Sequence, residues 1–318
     1  MSAPVTPDLD TKFMVDPYLN WVKAENALLH EGLALDLLSL DVKPWARFGM
    51  KGAICHVEGR CDYLTAFLFV LEAGQASEPV RHIHEDVFYV LAGSGETDIT
   101  LSDGHRLTIE WGEKKLFAVP INASARHRAG SGGARFVALS DFRYLMGLYR
   151  NETFLFSNPS PLHGRQKRAV DEGLIADPLT QAIGNEELSP IPLADLSVGI
   201  DLTGLAPKSS TLARRQMQGR HILGVEGNGF TLSFSNATSD IRRIDWRHGI
   251  LAGLKNMQFH QHFNANAQPA RLIGVELGSR SSPMFRSRRA VYGDASVYAS
   301  GAAIIPRAEE RPEVKAAL

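Results

Sequence analysis

Between Gly74 and Gly95 the chain reads GQASEPVRHIHEDVFYVLAGSG, and this stretch collects residues that bind metal ions. His82 and His84 stand two apart, followed at once by Glu85 and Asp86. On an extended chain, side chains two apart point the same way, so both imidazoles share one face. Imidazoles on one face of a strand with a carboxylate beside them are the usual ingredients of a first-row metal site. The run Val87–Leu91 predicts a buried strand, and Gly93-Ser94-Gly95 predicts a hairpin turn at its end.

The remainder of the chain must supply a scaffold for these groups. From Ala53, β-rich runs at 53–57, 63–71, 87–91, 96–101, 105–111, 116–119 and 135–139 alternate with turn residues, as in antiparallel barrels and sandwiches. Ahead of them, residues 16–31 predict a helix, with Leu19, Val22, Leu28 and Leu29 set between charges, and Pro44 closes the lead-in. Residues 145–200 break the rhythm: 158–161 and 165–168 predict a surface connection, and 171–188 a helix. β-punctuation returns between Ile222 and Leu277, and the charged tail from Pro306 predicts a frayed end.

Bulk properties exclude several function classes. A chain of 318 residues has room for two cores, and a formal net charge of -1 leaves no electrostatic footprint for nucleic acid or an anionic membrane. No window approaches ~18 uninterrupted apolar residues and the N-terminus lacks a secretory pattern, so the expected location is the cytoplasm. Two cysteines, Cys55 and Cys61, are too few for a disulfide framework and predict reduced thiols.

The two β regions echo each other. Residues 90–101 (VLAGSGETDITL) match 224–234 (GVEGNGFTLSF), and 107–140 match 242–276. Both copies carry an acidic-Trp pair, Glu110-Trp111 and Asp245-Trp246, and later an Ala-Arg pair, Ala134-Arg135 and Ala270-Arg271. A duplication is the economical reading. At HEDVFYVLAGSG (84–95) and FHQHFNANAQPAR (259–271) the sequence resembles the cupin superfamily, over roughly two thirds of the chain. Trp21, His30-Glu31-Gly32 and Pro44-Trp45 are similar to bacterial bicupins, and gentisate 1,2-dioxygenase-like bicupins are a more distant resemblance.

The resemblance implies an all-β fold with minor helices, two cupin (double-stranded β-helix, jelly-roll) barrels forming a bicupin. Expected divisions are a helical lead-in (1–45), an N-terminal barrel (46–145), a connector (146–200), a degenerate C-terminal barrel (201–305) and a tail (306–318). In this family three histidines and a glutamate hold a metal inside the barrel, through Gly-x5-His-x-His-x3-Glu-x6-Gly and Gly-x5-Pro-x-Gly-x2-His-x3-Asn. Counted from Gly74, the ligand positions fall on Val80, His82, Asp86 and Ala125, with Ala129 at the asparagine and Lys114 and Asn122 in place of glycines. His84 and His127 lie two residues beyond ligand positions, a shift that keeps the face and moves a side chain about 6–7 Å along the strand. Two readings follow. In one, a displaced site uses His82, His84 and His127, with Asp86 or Glu85 beside it as orienting or proton-moving group. In the other, His84 and His127 are solvated turn residues.

The second copy keeps His260 and Asn264 at second-motif spacing, with His262 on the face of His260, as secondary candidates. Its first-motif positions fall on Arg214, Gln216 and Arg220, arginines that could meet an anion or pair with Glu226. Gly227-Asn228-Gly229 predicts a second hairpin turn and Ser131–Gly133 a loop. Arg286, Arg288 and Arg289 predict a solvated edge, and His30, His56, His105, His163 and His248 have no partner at ligand spacing.

By resemblance, the leading function is a metal-dependent oxygenase-type oxidoreductase, a dioxygenase acting on a small aromatic or carboxylate substrate. Its cofactor is a divalent metal, Fe(II) first, with Mn, Ni, Cu or Zn as alternatives. The competing readings are a lyase, decarboxylase or isomerase, a non-catalytic small-molecule-binding bicupin, and a storage-like dimer. A homodimer is expected from the family and from the sheet edges such halves expose.

Overall fold

The structure, a computed structural model, describes residues 16–57, 64–182, 189–215, 220–234, 241–255 and 258–277. The first half contains helix α1 (Pro17–Glu25) and strands β1 (Leu28–Gly32), β2 (Ala34–Asp36), β3 (Lys43–Trp45), β4 (Met50–Val57), β5 (Thr65–Leu71), β6 (Asp86–Thr100), β7 (Arg106–Gly112), β8 (Leu116–Ala118) and β9 (Ser124–Ser140). Helices α2 (Phe142–Tyr149), α3 (Glu152–Phe156) and α4 (His163–Glu172), with short strands β10 (Ile175–Ala176) and β11 (Ser189–Pro190), make the connection. The second half contains β12 (Val198–Leu205), β13 (Ser209–Ser210), β14 (Arg214–Arg215), β15 (Arg220–Glu226), β16 (Asn228–Phe234), β17 (Arg242–Arg247), β18 (Ile250–Leu254), β19 (Phe259–Asn264) and β20 (Ala270–Leu277).

The backbone of the first barrel is the antiparallel pair β6·β9. It runs from Asp86↔Ser140 to Thr100↔Ser124, with register shifts between Val90/Ala92 and Gly93/Gly95. Gly93-Ser94-Gly95 is therefore a bulge inside one strand, and the expected hairpin turn is corrected. The glycines are required there by space: Gly93 has a φ of +80°, and a Cβ on Gly95 would lie 2.4 Å from the Trp111 ring. Gly227 and Gly229 repeat the device, with a φ of +67° at the first and the Trp246 ring 2.3 Å from a Cβ on the second. Ser131–Gly133, expected as a loop, likewise lies within β9.

Among the described residues of the expected helical lead-in, 16–45, only α1 is helical. Asp16 caps it by accepting from the Tyr18 and Leu19 amides, and Asn26 ends it at a φ of 50°. The chain then turns to strand and stitches the two halves together. β1 pairs in parallel with β4, and β2 pairs with β18 of the second half, Asp36 opposite Ile250. Arg247 reaches Asp36 at 2.6 Å, while His248 Nε2 lies 2.9 Å from the Leu91 carbonyl and its Nδ1 3.2 Å from the Tyr89 hydroxyl. One buried apolar cluster runs from Trp21 and Phe67 through Phe136 to Leu223 and Val275, so the halves share a core. In the connector the helix falls earlier than expected, at α4; residues 171–182 are helical only to Glu172, and 183–188 lie outside the described residues.

Candidate metal centre

His82 and His84 precede β6, and Asp86 is its first residue. Donor atoms from these three lie within 4.8 Å of one another, a separation compatible with one coordination sphere. The two rings stack at 3.5 Å between centroids, and Phe142 and Phe156 from the connector close over His84 at 5.0 and 5.3 Å. His84 is 1% exposed and His127 7%, which overturns the reading of both as solvated turn residues.

Hydrogen bonds assign the tautomers of this pair. His82 Nδ1 lies 2.8 Å from the His84 carbonyl oxygen, which only accepts, so the proton is on Nδ1. His84 Nδ1 lies 3.0 Å from Asp86 Oδ1, so it too donates, and its buried Nε2 has no hydrogen-bond partner. Both rings therefore present bare Nε2 atoms. His82 Nε2 faces Asp86 Oδ2 at 3.5 Å, lone pair toward lone pair, an arrangement a cation resolves. Burial pushes the His82 ring down to about 4, aided by the His84 ring beside it. Burial would raise Asp86, but the His84 and His82 rings and bonds from His84 and Ser140 outweigh it and hold the carboxyl below its ordinary range. The donor set, two imidazole nitrogens and one carboxylate oxygen, fits a divalent cation.

The bridge Val80↔Ala125 pairs the two vacated ligand positions. Beside them lies a small cavity walled by Phe48, Met50, Phe69, Phe88 and Val119, with His82, Asp86 and His127 as its titratable groups. The space open to the centre of a water molecule is about 20 Å³, enough for one or two waters. His127 does not join the three-residue donor group, contrary to the expectation that it ligates with His82 and His84. Its ring lies instead among Phe88, Phe117 and Phe136, at 5.1, 5.8 and 5.5 Å, and burial pushes it down to about 4. Its Nδ1 meets Thr97 Oγ1 at 2.8 Å, and the same oxygen accepts from Trp111 Nε1 at 2.8 Å.

Glu85 is removed from the site by strand parity. It points to the opposite face, where Arg165 and Ser197 hold it, and its amide donates to Asp141 Oδ1 at 2.8 Å. Burial raises Glu85 despite Arg165, and raises Asp141 further because Glu85 adjoins it. This cluster ties Glu85 to α4 and holds its side chain away from the His82, His84 and Asp86 group. Cys55 is a buried, free thiol that burial pushes up to about 12, in keeping with an inert core residue.

In the second barrel the same framework is used differently. Trp246 Nε1 donates to Thr231 Oγ1 at 3.0 Å, and Thr231 Oγ1 meets His262 Nδ1 at 2.8 Å, matching Trp111, Thr97 and His127. The aligned repeat already placed Thr97 over Thr231; that recurring threonine was the missed signal. Where Asp86 stands in the first barrel, Arg220 stands here, fully buried and 2.7 Å from Asp201. Glu226, the partner expected for it, pairs with Arg271 at 3.4 Å. Asn264 donates to the Gln268 carbonyl at 2.7 Å and organises a turn. Among the described residues no group of three His, Cys, Asp or Glu donors includes His260 or His262, and the Asn264 amide is engaged in that turn. Arg286, Arg288 and Arg289 lie outside the described residues.

Gly274 makes the Arg220 site: a Cβ there would fall 1.2 Å from the guanidinium. Gly274→Ala is expected to eject Arg220, strand the Asp201 carboxylate and cost about 3–5 kcal/mol in urea unfolding. A loss under ~1 kcal/mol would show that the pair contributes little.

No protein-family model and no curated protein matches the sequence. Solved structures do match in shape. The Bacillus subtilis oxalate decarboxylase studied for its Mn(II) centres aligns at 14% identity and a TM-score of 0.54, covering 87% of this chain and 85% of that one. The same enzyme at pH 4.6 aligns at 13% identity and a TM-score of 0.52, covering 87% and 84%. The Lactobacillus farciminis oxalate decarboxylase in its formate complex aligns at 11% identity and a TM-score of 0.50, covering 76% and 85%. At these identities the likeness shows the fold, and that fold is the bicupin. No helix among the described residues is long and apolar enough to cross a membrane.

Proposed function

We propose that the N-terminal barrel holds one divalent cation on His82, His84 and Asp86, and acts with it on a small carboxylate by a non-oxidative, decarboxylase- or lyase-type step. One observation carries this reading: two bare imidazole nitrogens and an ionised carboxylate, with like lone pairs facing each other at 3.5 Å, beside a small cavity. When bound, the cation supplies Lewis-acid polarisation of a carboxylate or carbonyl oxygen. Because the two rings lie parallel, ligation by both asks one of them to turn out of the stack.

The chain's own residues do the rest. Asp86 supplies the negative charge of the donor set and orients His84 through Nδ1. Phe48, Met50, Phe69, Phe88 and Val119 exclude water, which strengthens the interactions of every charge inside. So small a cavity favours a small ligand over the aromatic ring that the sequence left open. The fold neighbours named as oxalate decarboxylases, one of them with Mn(II) centres, support a carboxylate substrate and Mn(II) ahead of Fe(II). Two imidazoles and one carboxylate are also a donor set used by non-haem Fe(II) oxygenases, so O2 uptake is the measurement that separates the two reaction classes.

The test is reconstitution of the purified chain with Mn(II) or Fe(II), followed by incubation with oxalate and other small carboxylates. The expected result is about one ion per chain and CO2 release without O2 consumption. Retention of under about a tenth of an ion per chain after loading with either metal would overturn the metal reading. O2 consumed in step with substrate under Fe(II) would return the function to the oxygenase class.

A further inference from the structure

Thr97 is completely buried, and its Oγ1 has two polar neighbours, Trp111 Nε1 at 2.8 Å and His127 Nδ1 at 2.8 Å. An indole N–H only donates, so Trp111 occupies one lone pair of the hydroxyl oxygen. The hydroxyl proton is left with a single acceptor in reach, His127 Nδ1. Were Nδ1 itself protonated, it would take the second lone pair and leave a buried O–H with no acceptor, an arrangement native interiors avoid. Thr97 therefore donates, Nδ1 accepts, and the neutral His127 ring carries its proton on Nε2. This is the opposite tautomer to that of His82 and His84.

The ring is also held in place. Its backbone N–H donates to Ser77 Oγ at 2.9 Å, its carbonyl accepts from the Ser77 amide at 2.8 Å, and three phenylalanine rings pack around it. His127 lines the same cavity as His82 and Asp86 without belonging to their donor group. We propose that His127 is a fixed hydrogen-bond donor, its Nε2–H directed at an oxygen of a small carboxylate in the cavity, and that it is not a metal ligand. This rests on the carboxylate reading above and assigns the residue that positions the substrate. The cavity then has two unlike walls, bare nitrogens and a carboxylate on one side and an N–H on the other. One carboxylate oxygen suits the first and a second oxygen suits the latter. The second barrel retains the Trp-Thr-His relay, but there Arg220, paired with Asp201, stands at the position of Asp86.

The experiment is nitrogen-15 NMR of the full chain labelled at histidine, metal-free and loaded with diamagnetic Zn(II), with His127→Gln used to assign the ring. The expected spectrum shows His127 protonated on Nε2 and bare on Nδ1 in both states; Thr97→Ser keeps this form and Thr97→Val admits the other. In parallel, His127→Leu is expected to weaken oxalate, read as KM or as a dissociation constant, by about ten- to a hundredfold at unchanged Mn(II) content, while His127→Gln, which retains an N–H, restores most of the affinity. A wild-type ring protonated on Nδ1, loss of Mn(II) in His127→Leu, or oxalate affinity that is absent from the wild type or indifferent to His127→Leu would overturn the proposal. A wild-type chain that retains no metal would instead sink the metal reading and leave the tautomer standing, so the two failures are separable.

Discussion

Asp86→Ala is expected to lower divalent-cation affinity by about a hundredfold or more and to bring CO2 release from oxalate down by on the order of 10³-fold, with the β-sheet circular dichroism signal retained. Asp86 is the one anion in the donor group, and its Oδ1 accepts from His84 Nδ1. Removing it therefore deletes both a ligand and the partner that holds the His84 ring. Asp86→Asn keeps the shape and loses the charge, so its metal affinity should fall between the two. His84→Ala should resemble Asp86→Ala in metal content, since it also opens the stack of rings. Glu85→Gln provides the contrast: with its side chain turned to Arg165 and Ser197, it should leave metal content unchanged. Equilibrium dialysis with metal analysis measures all four.

The metal-free protein should lose stability steeply between about pH 6.5 and pH 4. His82 and His127 are each pushed by burial from 6.5 to about 4, so within that window the unfolded chain binds protons that the folded chain does not. Stability contributed by the neutral buried rings is complete above 6.5, falls as the pH drops toward about 4, and levels off below it. Each ring accounts for up to roughly 3 kcal/mol of the loss across the window. Glu85 and Asp141 run the other way, because burial raises both and their contribution is lost as pH rises. Comparing wild type with His127→Gln cancels them. The variant's unfolding free energy, from urea titrations at each pH, should depend less on pH by up to about 1.4 kcal/mol per unit. Equal slopes would show that the His127 ring titrates alike in both states. Saturating Mn(II) should deepen the acid sensitivity of the wild type, since protons and metal compete for the same bare nitrogens.

Much of the scaffold was legible in residue patterns because it depends on local periodicity. The alternating runs located the strands and the repeat located the second barrel; counting from Gly74 assigned Val80 and Ala125 to ligand positions, and the structure pairs them. The Gly-x-Gly pairs were misread because a glycine at positive φ serves a turn and a bulge equally; the Trp ring that each must clear lies on the next strand. The lead-in was misread because β1 and β2 gain their hydrogen bonds from β4 and β18, partners that no local pattern reveals. At the site, His82 and Asp86 could be placed by register alone. The burial of His84 depends on Phe142 and Phe156, both more than fifty residues away. Likewise the tautomer of His127 depends on Thr97 and Trp111, and the fate of the second barrel on Arg220 meeting Asp201 where Gly274 leaves room.

The most direct test of the metal centre is to count ligand nitrogens on the ion itself. Electron spin echo spectroscopy of the Mn(II)-loaded chain should show two coordinated imidazoles at about one ion per chain, falling to one in His82→Gln and staying at two in His127→Gln. Mn(II) that binds with no imidazole nitrogen, or whose nitrogen signal is unmoved by His82→Gln, would contradict a centre built on His82, His84 and Asp86.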